Sequence, residues 1–156
     1  MARRKQLDPR EAALVGHWAH ASPKEVLSGL TLEEARFCPP GGKFSIYQEI
    51  CHLVLCQEDI LEAMARPTSG LSLDDEGLWP GEGGPGSRQE LEATIQRLLE
   101  GLERAKKWLK KAEQPMACPR WEGVPVARGL QVLGSHTSYH LGRIALLRAM
   151  YRRSKG

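Results

Sequence analysis

Two histidines four residues apart, His136 and His140 in the run GSHTSYHLGR, are the side chains of this sequence best suited to chemistry. On an α-helix that spacing puts both imidazoles on one face, a turn apart, where they can converge on one ion. At about 100° per residue, Val132, Leu133, Ile144 and Leu147 fall within roughly a quarter-turn of that face, so the pair is expected to point inward. Buried imidazoles need partners for both ring nitrogens, and two protonated rings side by side repel. A shared metal ion removes both difficulties; the alternative is a pair of core histidines bonded to backbone or water. His52 lies mid-helix in EICHLVLCQEDI, with Leu53, Cys56 and Ile60 on the same broad side. Alone it reads as a core histidine, but a third ligand from a facing helix is how bundles assemble metal sites. Three neutral imidazoles suit Zn²⁺, Ni²⁺, Co²⁺ or Fe²⁺ and leave positions for water or substrate. HTSYH shares the histidine spacing of zinc proteases, yet Thr137 stands where their glutamate would follow the first histidine, which excludes that chemistry.

The elements that must carry these residues are helical. Ser45 and Gln48 make a capping box ahead of YQEICHLVLCQEDILEAMA, a helix carrying His52 and ending before Pro67. A further helix follows Ser87, with Glu90 completing its box and apolar residues at Leu91, Ile95, Leu98, Leu102, Ala105, Leu109 and Ala112. That seam faces other helices, with Glu92, Arg97, Glu103, Lys106 and Lys110 largely off it, and Pro115 marks the end. The last helix begins near Pro125 and carries His136 and His140. The first part is less regular: a short helix in DPREAALVGHWAH, a restart at Ser22-Pro23-Lys24-Glu25, and the same pattern from Thr31 to Glu34. A broken first helix is expected. Between Arg66 and Ser87 runs SGLSLDDEGLWPGEGGPGS, too long for a plain connector and typical of a functional loop, with Trp79 as a candidate anchor.

The whole reads as a single all-α domain over residues 1–156, a four-helix bundle with long inter-helix loops. The chain of 156 residues has 41% hydrophobic and 26% charged residues, the composition of a water-soluble globular domain. No apolar run approaches the roughly 20 residues of a membrane span, and MARRKQLDPR lacks the apolar core of a signal peptide. A cytoplasmic location is expected, with Cys38, Cys51, Cys56 and Cys118 as free thiols. The net charge of +3 is mild. A basic tail of Arg148, Arg152, Arg153 and Lys155 reads as a solvated helix end complementing the helix dipole, not as a nucleic-acid surface.

The segments SIYQEICHLVLCQEDIL and QVLGSHTSYHLGRIALLR, in that order and separation, resemble the two signatures of the DinB/YfiT-like superfamily. The resemblance extends to GLTLEEARFCPPGGKFSIYQEICHL, to the tryptophan of GLWPG and to the amphipathic third helix, and so covers nearly the whole chain. It implies a four-helix bundle, often dimeric, with one divalent ion per chain held by His52, His136 and His140. It also implies thiol-dependent S-transferases and isomerases among the relatives, using low-molecular-weight thiols such as bacillithiol or mycothiol. Two positions depart from the family pattern: Cys56 replaces a common aromatic residue and Arg143 a common glutamine. Cys56 shares a face with His52, as a fourth ligand, a reactive thiolate or a small buried hydrophobe. His20, Glu49 and Asp59 are further candidates for contact with the site, and Tyr139 is expected to pack away from it.

The expected function is a metal-dependent transferase or hydrolase in which the ion activates water or a thiol for attack on a small-molecule substrate. Zinc or nickel is expected, with cobalt or iron as alternatives, and a homodimer without nucleic-acid or membrane partners. The rival is a non-catalytic metal-binding or stress-response protein whose ion is structural.

Overall fold

The computed structural model describes residues 9–16, 20–67, 75–81 and 83–156. Six α-helices account for most of them: α1 (Pro9–Val15), α2 (Pro23–Leu27), α3 (Leu32–Ala35), α4 (Ile46–Ala65), α5 (Arg88–Lys111) and α6 (Val126–Lys155). A 3₁₀ turn at Asp75–Leu78 interrupts the connection between α4 and α5. No strand occurs among the described residues, and the first helix is broken into three short pieces as expected.

Local sequence starts each helix. Ser22 with Glu25, and Ser45 with Gln48, form complete capping boxes at α2 and α4. At α5 only half of the expected box forms. Ser87 accepts from the Glu90 amide, while the Glu90 carboxylate accepts from the Gly86 amide and the Tyr47 hydroxyl. Thr31 likewise caps α3 through the Glu34 amide, but the Glu34 carboxylate turns to Arg148.

Two apolar clusters fill the bundle. One gathers Ile46, Ile50 and Leu53 of α4, Leu91 and Leu98 of α5, and Leu141, Ile144 and Leu147 of α6. The other gathers Ile60, Leu61 and Met64 of α4, Leu102 and Ala105 of α5, Leu130 and Leu133 of α6, and Leu14 of α1. The order in which each helix crosses the clusters shows that α4 and α5 run parallel and α6 antiparallel to both. Parallel neighbours cannot be joined by a tight turn. The 20 residues of α4 span about 30 Å, and the chain must travel back that distance before α5 begins. The length of the segment after Arg66 follows from this topology.

Polar side chains interrupt the apolar packing: His52 and Gln57 of α4, and Thr137 and His140 of α6, are all buried. Gln57 is set against Gly101 of α5. With its amide nitrogen facing the Leu98 carbonyl and its oxygen the Leu102 amide, both contacts are 3.2 Å. A Cβ at Gly101 would sit 1.7 Å from the nearer polar atom of the Gln57 amide, so glycine is what admits the side chain.

The basic tail is less solvated than expected. Arg148 is buried and pairs with buried Glu34 through two contacts of 2.8 and 3.2 Å, and it also donates to the Val26 and Ser28 carbonyls. This pair pins the broken first helix to α6. Arg148→Ala should strand the Glu34 carboxylate in the interior and cost about 3–5 kcal/mol in urea unfolding, whereas a Glu34→Leu/Arg148→Met double variant should recover most of it. A loss below about 1 kcal/mol in the single variant would show that the pair does not pin the segment.

Candidate metal centre

One face of α4 presents Glu49, His52 and Cys56, spaced three and four residues apart. The facing side of α6 presents His136, His140 and Arg143. These positions run from within the first apolar cluster toward the second, and along this strip the helices meet through polar side chains. The three imidazoles cluster: ring centroids are 5.0 Å apart for His52 and His136, 4.6 Å for His52 and His140, and 4.4 Å for His136 and His140. His52 and His140 are buried, while His136 is half-buried.

Each ring nitrogen has a distinct environment. His52 Nδ1 is 2.8 Å from the Leu78 carbonyl, which can only accept, so the proton is on Nδ1 and the Nε2 lone pair is exposed to the cluster. His140 Nδ1 donates at 2.6 Å to Glu49 Oε2, which again leaves Nε2 as the donor atom. Glu49 is fully buried, and its other oxygen pairs with Arg143 at 2.7 Å. The chain Arg143–Glu49–His140 thus keeps a buried carboxylate compensated on both sides. His136 Nε2 lies 3.2 Å from His52 Nε2, and its buried Nδ1 has no hydrogen-bond partner.

Aromatic rings close the site from the side of the long connection. Trp79 stacks on His52 at 3.8 Å with planes 3° apart, and Phe44 stacks on Trp79 at 3.6 Å. Trp79 therefore anchors the connection as its sequence position suggested, and Leu78 beside it supplies the carbonyl that orients His52. Toward α6 a cavity of about 370 Å³, lined by Arg128, Gln131, Val132, Ser135, His136 and Tyr139, opens at His136. The larger cavity of about 790 Å³ lies between α1 and α5, away from the histidines.

Of the further candidates, Glu49 and Cys56 join the cluster. Cys56 Sγ is 3.6 Å from both ring nitrogens of His52. Asp59 instead pairs with Arg120 at 2.7 Å. His20 bonds Ser138 at 2.9 Å, on a different face of α6 from the histidine pair. Val132, expected inside, is 38% exposed, and Tyr139 is 59% exposed, its ring perpendicular to that of His140 at 4.9 Å. Val132 belongs to an outer face that helical-wheel arithmetic placed too close to the core, whereas Tyr139 lies off the ligand face as expected. Phe44 and the Arg143–Glu49 pair were not foreseen; the spacing of Glu49 from His52 was the only sequence signal for the latter.

A model of the DinB superfamily matches residues 17–144. The chain belongs to the DinB superfamily. No curated protein and no solved structure matches it. Within this DinB chain the two histidine-bearing segments bring donor atoms together. Among the described residues, His52, Cys56 and His136 offer ligand atoms all within 4.8 Å of one another, a cluster that could hold a metal ion. The donor set fits one. Two nitrogens held at about 2.0–2.1 Å around a tetrahedral ion lie about 3.3 Å apart, close to the 3.2 Å between His52 Nε2 and His136 Nε2.

Burial, then the neighbouring imidazoles, holds His136 down to about 4, and burial depresses His52 as well. Unfolded histidine titrates near about 6.5. Between these values the unfolded chain takes up protons that the folded one refuses, so this contribution is complete above about pH 6.5 and is lost as pH falls toward 4. In chelator-treated protein the urea midpoint should therefore fall between pH 7 and 4.5, and His136→Gln should flatten the fall. An unchanged slope in that variant would mean that His136 is not held neutral by its surroundings.

Proposed function

We propose that this chain is a metal-dependent enzyme of the thiol S-transferase or hydrolase type, with one divalent ion held by His52, His136 and His140. The observation that carries the reading is the pair of hydrogen bonds from Nδ1 of His52 and Nδ1 of His140 to oxygen acceptors, which turn both Nε2 lone pairs inward. Such bonds are how metal-ligating histidines are held and made more basic, the carboxylate–histidine pair most of all. Zinc or nickel suits the imidazoles best, with cobalt or iron as alternatives. Bound there, the ion would supply Lewis acidity, lowering the pKa of water or of a low-molecular-weight thiol. Glu49 and Arg143 hold His140 in its tautomer, and Trp79 with Phe44 keeps bulk water from His52. The cavity beside His136 is the natural place for a small-molecule substrate.

One observation favours the rival reading, a non-catalytic protein with a structural ion. Glu49, the carboxylate nearest the histidines, is already engaged by His140 and Arg143, which leaves it poorly placed as a general base.

The protein is further proposed to act as a homodimer in the cytoplasm, without nucleic-acid or membrane partners. Val132, Tyr139, Leu146 and Met150 recur along the outer face of α6 as exposed apolar side chains, which supports self-association through that helix. No helix among the described residues is long and apolar enough to cross a membrane.

Elemental analysis of untagged protein should find about one equivalent of divalent metal per chain, and none in the His52→Ala/His136→Ala/His140→Ala triple variant. No metal in either, after loading with Zn²⁺, Ni²⁺, Co²⁺ or Fe²⁺ and removal of excess, would overturn the reading. Glu49→Ala should weaken binding about 10–100-fold in chelator competition. Leu146→Glu should convert a dimer to a monomer in sedimentation; a wild-type monomer would dismiss the α6 interface.

A further inference from the structure

Cys56 sits one turn beyond His52 on α4, buried at 7% exposure, where a bundle core would accept any small apolar residue. Its sulfur, however, faces the histidines. The Sγ lies 3.6 Å from both ring nitrogens of His52 and within 4.8 Å of the ligating atom of His136, which belongs to a different helix. A thiolate at about 2.3 Å and an imidazole at about 2.05 Å from a tetrahedral ion are about 3.6 Å apart. The nitrogen–nitrogen separation matches one edge of a coordination tetrahedron, and rotating the Cys56 side chain from its position midway between the two ring nitrogens to the Nε2 side would complete a sulfur–nitrogen edge.

Charge points the same way. Three neutral imidazoles leave the whole double charge of a bound ion in the interior, and Glu49, the nearby carboxylate, is itself paired with Arg143. A thiolate brings compensating negative charge into direct contact with the ion, and a coordinating thiol is deprotonated by the metal it binds. We infer that Cys56 is a protein ligand, its thiolate joining His52, His136 and His140 in a four-ligand site. The inference rests on the metal reading proposed above and adds to it that the resting ion is closed by protein. A substrate thiol or water reaches the ion only by displacing Cys56. The sulfur donor also selects softer ions such as Zn²⁺ and Co²⁺ over Mg²⁺ or Mn²⁺.

Cobalt substitution separates this inference from the reading beneath it. The full-length protein, freed of metal and titrated with Co²⁺, should show visible d–d bands that saturate at one equivalent together with a near-ultraviolet thiolate-to-cobalt charge-transfer band. Cys56→Ser and Cys56→Ala should lose the charge-transfer band and keep d–d absorption, with Co²⁺ bound at least tenfold more weakly. Cys51→Ser should keep both features. Saturating d–d bands without charge transfer in the wild-type protein would overturn the role of Cys56 and leave a three-histidine site standing. No cobalt spectrum at all would overturn the metal reading along with it. The wild-type spectrum decides between these outcomes even if neither Cys56 variant folds, and far-ultraviolet circular dichroism identifies that case.

Discussion

An imidazole buried in an apolar bundle must have both of its nitrogens satisfied, and this requirement organises the centre of the protein. The histidines lie along the contact of α4 and α6, where the backbone groups of each helix are taken up by its own hydrogen bonds and other partners are required. Each solution recruits a distant part of the chain. His52 takes its acceptor from Leu78, in the long connection, and His140 takes Glu49 from the opposite helix. Glu49 in turn needs Arg143 to be tolerable as a buried carboxylate. His136, whose Nδ1 is left without a partner, is the member on which the demand is not fully met within the protein.

The parallel course of α4 and α5 has a functional consequence. It obliges the chain to return the full length of the bundle, and the returning segment is carried past the open side of the histidine cluster. Trp79 can therefore stack on His52 and Phe44 on Trp79. The ring stack excludes water and strengthens every electrostatic interaction beneath it. A four-helix bundle with hairpin connections throughout would have no chain at this place. The same topology leaves the N-terminal pieces α1 to α3 without a long helix of their own. They are held by the buried Glu34–Arg148 pair and by Leu14 and Leu27 entering the two clusters.

Much was legible in the linear chain because the signals are local. Capping residues at Ser22, Ser45 and Ser87 start helices by satisfying amides three residues away, an interaction that needs no tertiary partner. The apolar seam of α5 is similarly visible, and Leu91, Leu98, Leu102 and Ala105 are buried as its period requires. The i, i+4 spacing of His136 and His140 announced a shared face. What periodicity misjudged was depth: Val132 lies within a quarter-turn of that face yet is exposed, because an apolar stripe on a wheel is wider than the groove that receives it.

The sequence by itself determined the helices, their order, the family and the three histidines worth watching, since each depends on residues close together or on motifs in fixed order. Only the tertiary structure decided which candidates meet. Asp59 and Glu49 were equivalent on the α4 wheel, yet Asp59 meets Arg120 and Glu49 meets His140. Cys56 and His136 come together, within 4.8 Å, only because α6 packs against α4. The reason is physical: helical spacing specifies direction about one axis, whereas a hydrogen bond or a coordination site is set by the distance between two helices, and that distance is the outcome of packing the entire core.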